Sequence, residues 1–323
     1  MAALAIHQFF PQASQLVYGC MGLGGGWDAT PYGPEHLAQA HAAVDAALEI
    51  GINYFDHADI YTLGKAEQVF GQVLAERPQL RQQIILQTKC AIRFADEQWC
   101  GRYDWSVDYI RQSVEASLKR LQTEYIDVLM LHRPDPLAEM DEVAATLQQL
   151  KESGKVQQFA VSNMSGAQIA YLQAALGFPL VANQLELSLT KLDWLNHSVA
   201  VNDEQVRGHS FTAGTIEYCA INKLQVQAWG SLCRGLFSGA DLSQASQAQR
   251  DTAALVRQYA EQYGCSPEAM VLAWLMRHPA AIQPVIGSTH VGRIRACADA
   301  TKVQLSREQW YQLFVTSRGQ ALP

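Results

Sequence analysis

The stretch Asn53-Tyr54-Phe55-Asp56-His57-Ala58-Asp59-Ile60-Tyr61 joins the end of an apolar strand to a run of polar groups. Four ionisable side chains fall within the six residues from Asp56 to Tyr61. Ionisable groups at the end of a buried strand are costly unless they are paired or functional. We therefore predict that Asp56 and Tyr61 form half of an active site, and that the other half lies at the ends of two later strands.

Strand and helix patterns alternate along the whole chain around this stretch. Apolar runs predict strands near 16–18, 52–55, 84–89, 125–132, 159–162, 180–184, 224–229 and 282–286. Helical spacing follows each run, and two further helices are predicted near 290–299 and 306–317. Eight strand-then-helix units without a break in composition predict an α/β fold, a (β/α)₈ TIM barrel that is a single domain over residues 1–323 with extra C-terminal helices. Residues 1–15 are interpreted as a leader that forms a hairpin lid.

A barrel of this kind brings the C-terminal ends of all its strands to one rim. Seven chemically useful residues that are distant in sequence are then predicted to converge there: Asp56, Lys89, His132, Ser162, Gln184, Trp229 and Gly287.

Composition narrows the class of protein. The chain has 323 residues, a formal net charge of -7 and seven cysteines, none of them in a C-x-x-C pair. The acidic balance argues against nucleic acid or an anionic membrane surface as a partner, and the cysteine pattern argues against a disulfide framework or structural zinc site. With neither a signal sequence nor an apolar run of membrane-spanning length, we expect a cytoplasmic protein, and we expect a monomer.

Seven blocks of sequence, placed in order on successive predicted strands and helices, resemble the aldo-keto reductases across almost the whole chain. The blocks are 55–61 (FDHADIY), 88–89 (TK), 117–121 (SLKRL), 125–127 (YID) together with 131–134 (LHRP), 161–163 (VSN), 228–232 (AWGSL) and 285–289 (VIGST).

The resemblance implies an enzyme that reduces an aldehyde or ketone to an alcohol by hydride transfer. The family's catalytic tetrad falls on Asp56, Tyr61, Lys89 and His132. Reduction leaves charge on the carbonyl oxygen, which must receive a proton, and a phenol with a pKa of about 10 is a weak acid at neutral pH. Lys89 is expected to strengthen Tyr61 as the acid, Asp56 to hold Lys89, and His132 to donate a hydrogen bond to the substrate.

The resemblance also implies that NADPH is the cofactor. Ser162, Asn163 and Gln184 match the residues that grip the nicotinamide amide, and Trp229 stands where the family often has a stacking Tyr. The turn Leu232-Cys233-Arg234-Gly235 is implied to meet the pyrophosphate through its backbone amides and Arg234. Gly230 and Ser231, just before this turn, are also expected to contact the cofactor. The glycine-rich segment 22–26 opens no helix, so it is interpreted as a loop in which Gly22 passes close to the cofactor rather than as a dinucleotide fingerprint.

The adenosine-phosphate end departs from the family pattern. Many members have Lys where this chain has Gly287, and a Glu-Asn pair where it has Ala296 and Cys297. The residues still expected to contact this end of the cofactor are Gly287, Ser288, Thr289 and Arg293.

The substrate is expected to be a small carbonyl compound in a pocket lined by Trp27 and Trp105. Aromatic side chains in the loops 90–105 and 185–213, namely Trp99, Tyr103, Trp105 and Trp194, indicate an apolar pocket but name no substrate.

Three alternatives to a reductase remain open from the residues alone. His57, Asp59 and His132 are of the types that bind metal in barrel hydrolases, but matched ligands on later strands are missing, so no metal site is predicted. Lys89 is also suited to form a Schiff base in a barrel lyase or aldolase. Some aldo-keto reductase relatives act as regulatory subunits that sense nicotinamide redox state, and a long N-terminal partner-binding segment, of which the sequence shows no sign, would favour that role.

Overall fold

The computed structural model describes residues 3–200, 203, 204, 208 and 210–323, and it shows eight parallel strands closed into a barrel. The strands of the chain are β1 (Val17–Gly19), β2 (Tyr54–Asp56), β3 (Ile85–Cys90), β4 (Ile92–Arg93), β5 (Arg102–Tyr103), β6 (Ile126–Leu131), β7 (Val156–Ser162), β8 (Ala182–Glu186), β9 (Gln225–Trp229) and β10 (Gln283–Ile286). Hydrogen-bonded neighbours run β1-β10-β9-β8-β7-β6-β3-β2, while β4 and β5 form a separate antiparallel pair. The predicted (β/α)₈ fold is confirmed.

Helices cover the outside of the barrel. They are α1 (Pro34–Glu49), α2 (Lys65–Glu76), α3 (Val107–Leu121), α4 (Met140–Glu152), α5 (Gly166–Ala175), α6 (Asp193–Val199), α7 (Thr215–Ile221), α8 (Gln247–Tyr263), α9 (Pro267–Met276), α10 (Val291–Arg295) and α11 (Arg307–Arg318). Three of them begin with a serine and a glutamine that cap each other's backbone, at Ser165, Ser246 and Ser306. The predicted helix near 290–299 is shorter, since α10 ends at Arg295 and a 3-10 turn follows at Ala298–Thr301.

Parallel register brings the strand ends to a common rim. Asp56 pairs with Gly19 on β1 and with Gln87 on β3, and Lys89 pairs with Met130 on β6. Just beyond β6, the His132 N–H donates to the Cys90 carbonyl over 2.8 Å. The side chains predicted for the active site therefore start from neighbouring positions on the same rim.

The N-terminal segment covers the opposite end of the barrel. It contains one 3-10 turn, Ala5–Gln8, and its buried side chains Leu4, Ile6 and Phe10 pack among the first residues of the strands. The predicted hairpin lid is wrong. Ile6 and Phe10 lie one helical turn apart and both point into the barrel, an arrangement that an extended hairpin cannot make.

The two long loops at the rim differ in character. Residues 90–105 include the β4–β5 pair, in which Ile92 faces Tyr103. Residues 185–213, predicted to be irregular, include α6 and a β-bridge between Ser188 and Lys191. For residues 201, 202, 205–207 and 209 the prediction lies outside the described residues. In the part of the chain that the structure covers, no helix has the length and apolar character needed to cross a bilayer.

Candidate active site

A cavity of about 600 Å³ opens at the C-terminal rim of the barrel. Its wall includes fourteen of the seventeen residues predicted for cofactor binding and catalysis. Eleven of them are Asp56, Tyr61, His132, Ser162, Asn163, Gln184, Trp229, Gly230, Ser231, Leu232 and Arg234. Gly287, Ser288 and Arg293 line its far end. The barrel therefore gathers most of the predicted site into one cleft.

Lys89 is buried behind this wall and is the centre of a polar cluster. Its Nζ donates to Asp56 Oδ2 at 2.7 Å, to Tyr61 Oη at 2.9 Å and to the His57 carbonyl at 3.0 Å. An ammonium has three protons, so each one has an acceptor. Burial lowers the pKa of Lys89, but the charges of Asp56 and Tyr61 and their hydrogen bonds to the ammonium together outweigh burial, and the net pKa is raised. A lysine held in its charged form is a poor Schiff-base nucleophile, which argues against the lyase or aldolase alternative.

The orientation of Tyr61 is fixed by a turn with an uncommon backbone conformation. The residues after it, Thr62 and Leu63, both have left-handed backbone angles, with φ of 47° and 60°. Thr62 holds the turn by donating from Oγ1 to the Leu23 carbonyl at 3.0 Å. This conformation is uncommon for a β-branched residue and is typical of functional sites.

The protonation of Tyr61 corrects one expectation. Burial raises the pKa of its phenol, Lys89 opposes that rise, and Asp56 adds to it, so the net pKa is above the ordinary value. The prediction that Lys89 makes Tyr61 a stronger acid accounts for only one of these effects. The phenol keeps its proton at neutral pH, as a proton donor must.

His132 faces Tyr61 across the cavity. The two rings meet edge to face with centroids 6.1 Å apart. Burial lowers the pKa of His132 to about 2, and the positive charges of Lys89 and Arg133 act in the same direction. The imidazole is therefore neutral at working pH, and it can donate a hydrogen bond from one nitrogen to a ligand in the cavity.

His57 and Asp59 lie outside the cavity. The His57 ring packs against Phe70 with centroids 4.6 Å apart, and burial lowers the pKa of His57 to about 3. Across the residues that the structure covers, no three His, Cys, Asp or Glu side chains form a group suited to a metal ion.

The predicted nicotinamide subsite is polar and tightly connected. Asn163 Nδ2 donates to Ser162 Oγ at 2.8 Å, and Asn163 Oδ1 accepts from Trp229 Nε1 at 3.1 Å. Asn163 reaches this position through a left-handed backbone conformation, with φ of 55°. Gln184 completes the subsite from β8. These groups fit the carboxamide of a nicotinamide, which offers both donors and an acceptor.

The turn after β9 fits a pyrophosphate. In the described chain, the backbone N–H groups of Ser231 and Leu232 have no protein acceptor, and both residues line the cavity. Positive φ angles at Gly230, Cys233 and Arg234 curl the backbone around this spot. Unpaired amides in such a curl are a common anion site. The Ser231 hydroxyl is used elsewhere, because it donates to the Val285 carbonyl at 2.7 Å.

Two predicted cofactor contacts are not part of the cavity wall. Gly22 is exposed and Thr289 is half-buried, and the two residues pack closely against each other. A Cβ atom added to Gly22 would lie 3.0 Å from Thr289 Cγ2. Gly22 is thus required for close packing between β1 and β10 ends rather than for contact with the cavity.

Trp27 lies at the mouth of the cavity, but Trp105 does not. Trp27 is half exposed and meets Phe94 edge to face at 6.4 Å. Trp105 is buried in the core beneath α3, and its Nε1 donates to the Arg133 carbonyl at 2.8 Å. The prediction that Trp105 lines the substrate pocket is therefore wrong, since an indole N–H needs a buried acceptor and finds it on the β6–α4 loop.

The other loop aromatics lie elsewhere too. Trp99 and Tyr103 are exposed, and Trp194 is buried against Trp274. Sequence reasoning missed eight residues of the wall, namely Gly19, Met21, Ile60, Ile92, Arg133, Ser238, Glu268 and Val285. Of these residues, Arg133 could have been predicted from its position in the sequence, because it directly follows His132.

Comparison with known proteins shows the family and the fold of the chain. The sequence model of the Aldo/keto reductase family matches residues 15–314. A 6-dehydroglucose reductase from Agrobacterium fabrum is 35% identical over 314 residues, 95% of each chain, and one from Novosphingobium aromaticivorans is 37% identical over 294 residues, 88% of each chain. The solved structure of a glycerol dehydrogenase from Gluconobacter oxydans has a TM-score of 0.77 and 24% identity, over 96% of this chain and 94% of its own. The chain therefore belongs to the aldo/keto reductase family.

Proposed function

We propose that this protein reduces the carbonyl group of a small aldehyde or ketone to an alcohol, with NADPH as the reductant and Tyr61 as the proton donor. The observation that carries the proposal is the buried Asp56–Lys89 pair, whose ammonium donates to Tyr61 Oη at the wall of the cavity. Tyr61 Oη accepts from Lys89, so its own proton is available to a group inside the cavity.

The residues divide the chemistry between them. A bound dihydronicotinamide supplies the hydride that reduces the carbonyl carbon. Tyr61 gives its proton to the carbonyl oxygen, and Lys89 stabilises the phenolate that remains. Neutral His132 donates a hydrogen bond to the same oxygen and orients the substrate. Asp56 keeps Lys89 charged and in place.

The preference for NADPH is proposed from the far end of the cavity. Arg293 on α10 lines this end together with Ser288, and no acidic side chain in the described chain pairs with its guanidinium. A guanidinium that lacks a protein partner suits a phosphate, which it binds through charge-assisted hydrogen bonds. The 2′-phosphate is the group that distinguishes NADPH from NADH.

For the substrate we propose a polar, sugar-like aldehyde. Relatives that are 35% and 37% identical are named 6-dehydroglucose reductases. Arg133, next to His132, lines the cavity and has no acidic partner among the residues described, so its donors are free for hydroxyl oxygens. Trp27 adds a flat apolar face at the mouth, on which a sugar ring can pack.

The proposal is tested by steady-state NADPH oxidation with aldehydes of two kinds, polyhydroxylated and apolar aromatic. Tyr61→Phe is expected to lower kcat by roughly a hundredfold or more, because general acid catalysis supplies about that much. The dissociation constant for NADPH, measured by fluorescence titration, should stay within about twofold, since the phenol does not hold the cofactor.

Tyr263→Phe is the matched control, because its hydroxyl contacts Gln304 and Gln309, far from the cavity. Normal turnover by Tyr61→Phe would remove Tyr61 from the mechanism. A wild-type protein that binds NADPH tightly yet reduces no aldehyde of the panel would instead support the redox-sensing regulatory role.

A further inference from the structure

Buried amide side chains fill the centre of the barrel directly beneath the cavity. Gln227 on β9 is their midpoint. Its Oε1 accepts from Gln87 Nε2 at 3.1 Å and from Gln184 Nε2 at 3.0 Å, and its Nε2 donates to Gln283 Oε1 at 3.1 Å. All four glutamines are at most 2% exposed. Four amides from four strands therefore form one connected network in a place where apolar side chains are the rule.

One branch of this network ends at the candidate catalytic residues. Gln87 Nε2 also donates to Asp56 Oδ1 at 2.5 Å, while Gln87 Oε1 accepts from Tyr54 Oη at 2.8 Å. Both N–H groups and the oxygen of the Gln87 side-chain amide therefore have hydrogen-bond partners within the protein. The Asp56 carboxylate is held on its other oxygen by Lys89.

A second branch ends at the candidate nicotinamide subsite. Because Gln184 Nε2 is used by Gln227, its Oε1 is the atom left for the cavity, and within the described chain Oε1 accepts from no other group. The network ends on the far side at a backbone acceptor, since Gln283 Nε2 donates to the Ser14 carbonyl at 2.7 Å. Turning any amide over would place two donors or two acceptors face to face, so the direction of each amide is fixed by its neighbours.

We propose that Gln227 is a positioning residue that orients both the Asp56–Lys89–Tyr61 group, through Gln87, and the cofactor-reading amide of Gln184. Gln227 touches neither cavity nor reacting atoms. It sets which atom of Gln184 faces the cavity and which oxygen of Asp56 is left for Lys89. The inference rests on the proposed function, because it takes Gln184 as a nicotinamide contact.

Gln227→Met tests the proposal, because Met keeps the volume and removes the amide. Two donors, one on Gln87 and one on Gln184, then lose their acceptor. The loss of one buried hydrogen bond corresponds to about a tenfold change in an equilibrium or a rate. We expect kcat to fall about tenfold, and the dissociation constant for NADPH, measured by fluorescence titration without substrate, to rise about tenfold.

Gln225→Met is the matched control. Gln225 lies on the same strand, is equally buried, and makes hydrogen bonds to the Val226 and Ala281 carbonyls that do not join the network. Its removal is expected to lower the thermal unfolding temperature as Gln227→Met does, while kcat and the NADPH dissociation constant stay within about twofold of wild type.

Tyr54→Phe separates the two branches. It removes the hydroxyl that donates to Gln87 Oε1 at 2.8 Å and leaves the hydrogen bond from Gln184 to Gln227 in place, so kcat should fall about tenfold while the dissociation constant for NADPH stays within about twofold. A merely structural role would not split the two quantities in this way. If Gln227→Met does not fold, Tyr54→Phe and Gln283→Met test the network from its two ends, with Gln283→Met expected to raise the dissociation constant about threefold.

Equal effects of Gln227→Met and Gln225→Met, or a Tyr54→Phe enzyme with normal kcat, would overturn the inference and leave the proposed function standing. A wild-type protein that neither binds nor oxidises NADPH would overturn both.

Discussion

Lys89 has no exposed surface, and the Asp56 side chain beside it is only 3% exposed. Removing two charges from water is costly, and the cost is offset here by their mutual attraction and by the other hydrogen bonds of the ammonium. An apolar pair of similar volume would be less costly to bury, so the presence of this charged pair points to a chemical role. In the proposed mechanism, Lys89 needs its charge to stabilise the Tyr61 phenolate, and Asp56 maintains that charge.

Breaking this pair on one side is expected to destabilise the protein strongly. Lys89→Met leaves the Asp56 carboxylate buried without its partner, so we expect a loss of about 3–5 kcal/mol in the free energy of unfolding. The double variant Lys89→Met/Asp56→Asn removes both charges and should recover a large part of that loss. Urea unfolding of the two single variants and the double variant measures this, and strictly additive losses would contradict the interpretation.

Arg293 is expected to discriminate between the two nicotinamide dinucleotides. A shielded contact between a guanidinium and a phosphate is worth roughly 1.5–3 kcal/mol, so Arg293→Ala should weaken NADPH binding about tenfold to a hundredfold. NADH binding should stay nearly unchanged. Arg295→Ala is the control, because Arg295 follows on the same helix but pairs with Glu49 at 2.7 Å outside the cavity. Equal losses for both dinucleotides in fluorescence titrations would show that Arg293 does not read the 2′-phosphate.

At the scale of elements, a buried ionic contact ties α2 and α3 to the strand that carries Lys89. Glu67 on α2 is fully buried, accepts from Arg120 Nε on α3 at 2.7 Å, and accepts from Thr88 Oγ1 on β3 at 2.5 Å. Asp59 lies beside this contact, just before the turn that carries Tyr61. Burial raises the pKa of Asp59 to about 7, and the negative charge of Glu67 adds to the rise. The contact of Glu67 with Arg120 and Thr88 thus fixes α2 and α3 beside the site, but it also places the charge of Glu67 next to the buried carboxylate of Asp59.

The raised pKa of Asp59 predicts a pH dependence of stability. The folded protein binds a proton at Asp59 up to a higher pH than the unfolded chain does, so stability falls as the pH rises from about 4 to about 7. The loss is at most about 1.4 kcal/mol per pH unit. Asp59→Asn should remove this contribution, and it should therefore stabilise the protein more at pH 8 than at pH 4.5. Urea unfolding at the two pH values checks this; an equal effect at both would refute it.

At the scale of the whole molecule, the two ends of the barrel have different roles. The C-terminal rim carries the cavity, while the N-terminal segment closes the other end with Leu4, Ile6 and Phe10. The glutamine network lies between the ends and reaches the N-terminal segment at Ser14. Substitutions at the C-terminal rim are therefore expected to affect activity, and substitutions at the N-terminal end to affect stability.

Truncation at the closed end is expected to lower stability without changing catalysis. Ile6 is completely buried, so Ile6→Ala should cost about 2–5 kcal/mol in the free energy of unfolding. Far below the unfolding transition, kcat should remain within about twofold, because the substituted side chain lies at the end opposite the cavity. Leu137→Ala is the control, since Leu137 is 86% exposed and should change neither quantity. A large fall in kcat for Ile6→Ala would show that the two ends are coupled.

Local patterns were sufficient for the barrel and for the position of the four catalytic candidates. Continuous apolar runs are typical of strands covered on both faces, and parallel connections force their ends to one rim. The sequence pattern therefore predicts that Asp56, Lys89 and His132 lie close together. Local sequence patterns do not determine whether a side chain in a rim loop points into the cavity or away from it. Trp105 was assigned to the site, yet it is buried in the core behind it, and Gly22 and Thr289 do not line the cavity. Arg133 and Glu268, which do line it, were passed over.

The amino-acid pattern of this protein thus specified the order of elements and the residues at their ends, because period, burial and strand polarity are written in local sequence. Tertiary closure decided everything that depends on contacts between distant strands. The net rise in the Tyr61 pKa results from burial, Lys89 and Asp56 acting together. The glutamines of β3, β8, β9 and β10 are ordinary polar interruptions in four separate runs, and they become one network only because the barrel brings their strands around a common centre.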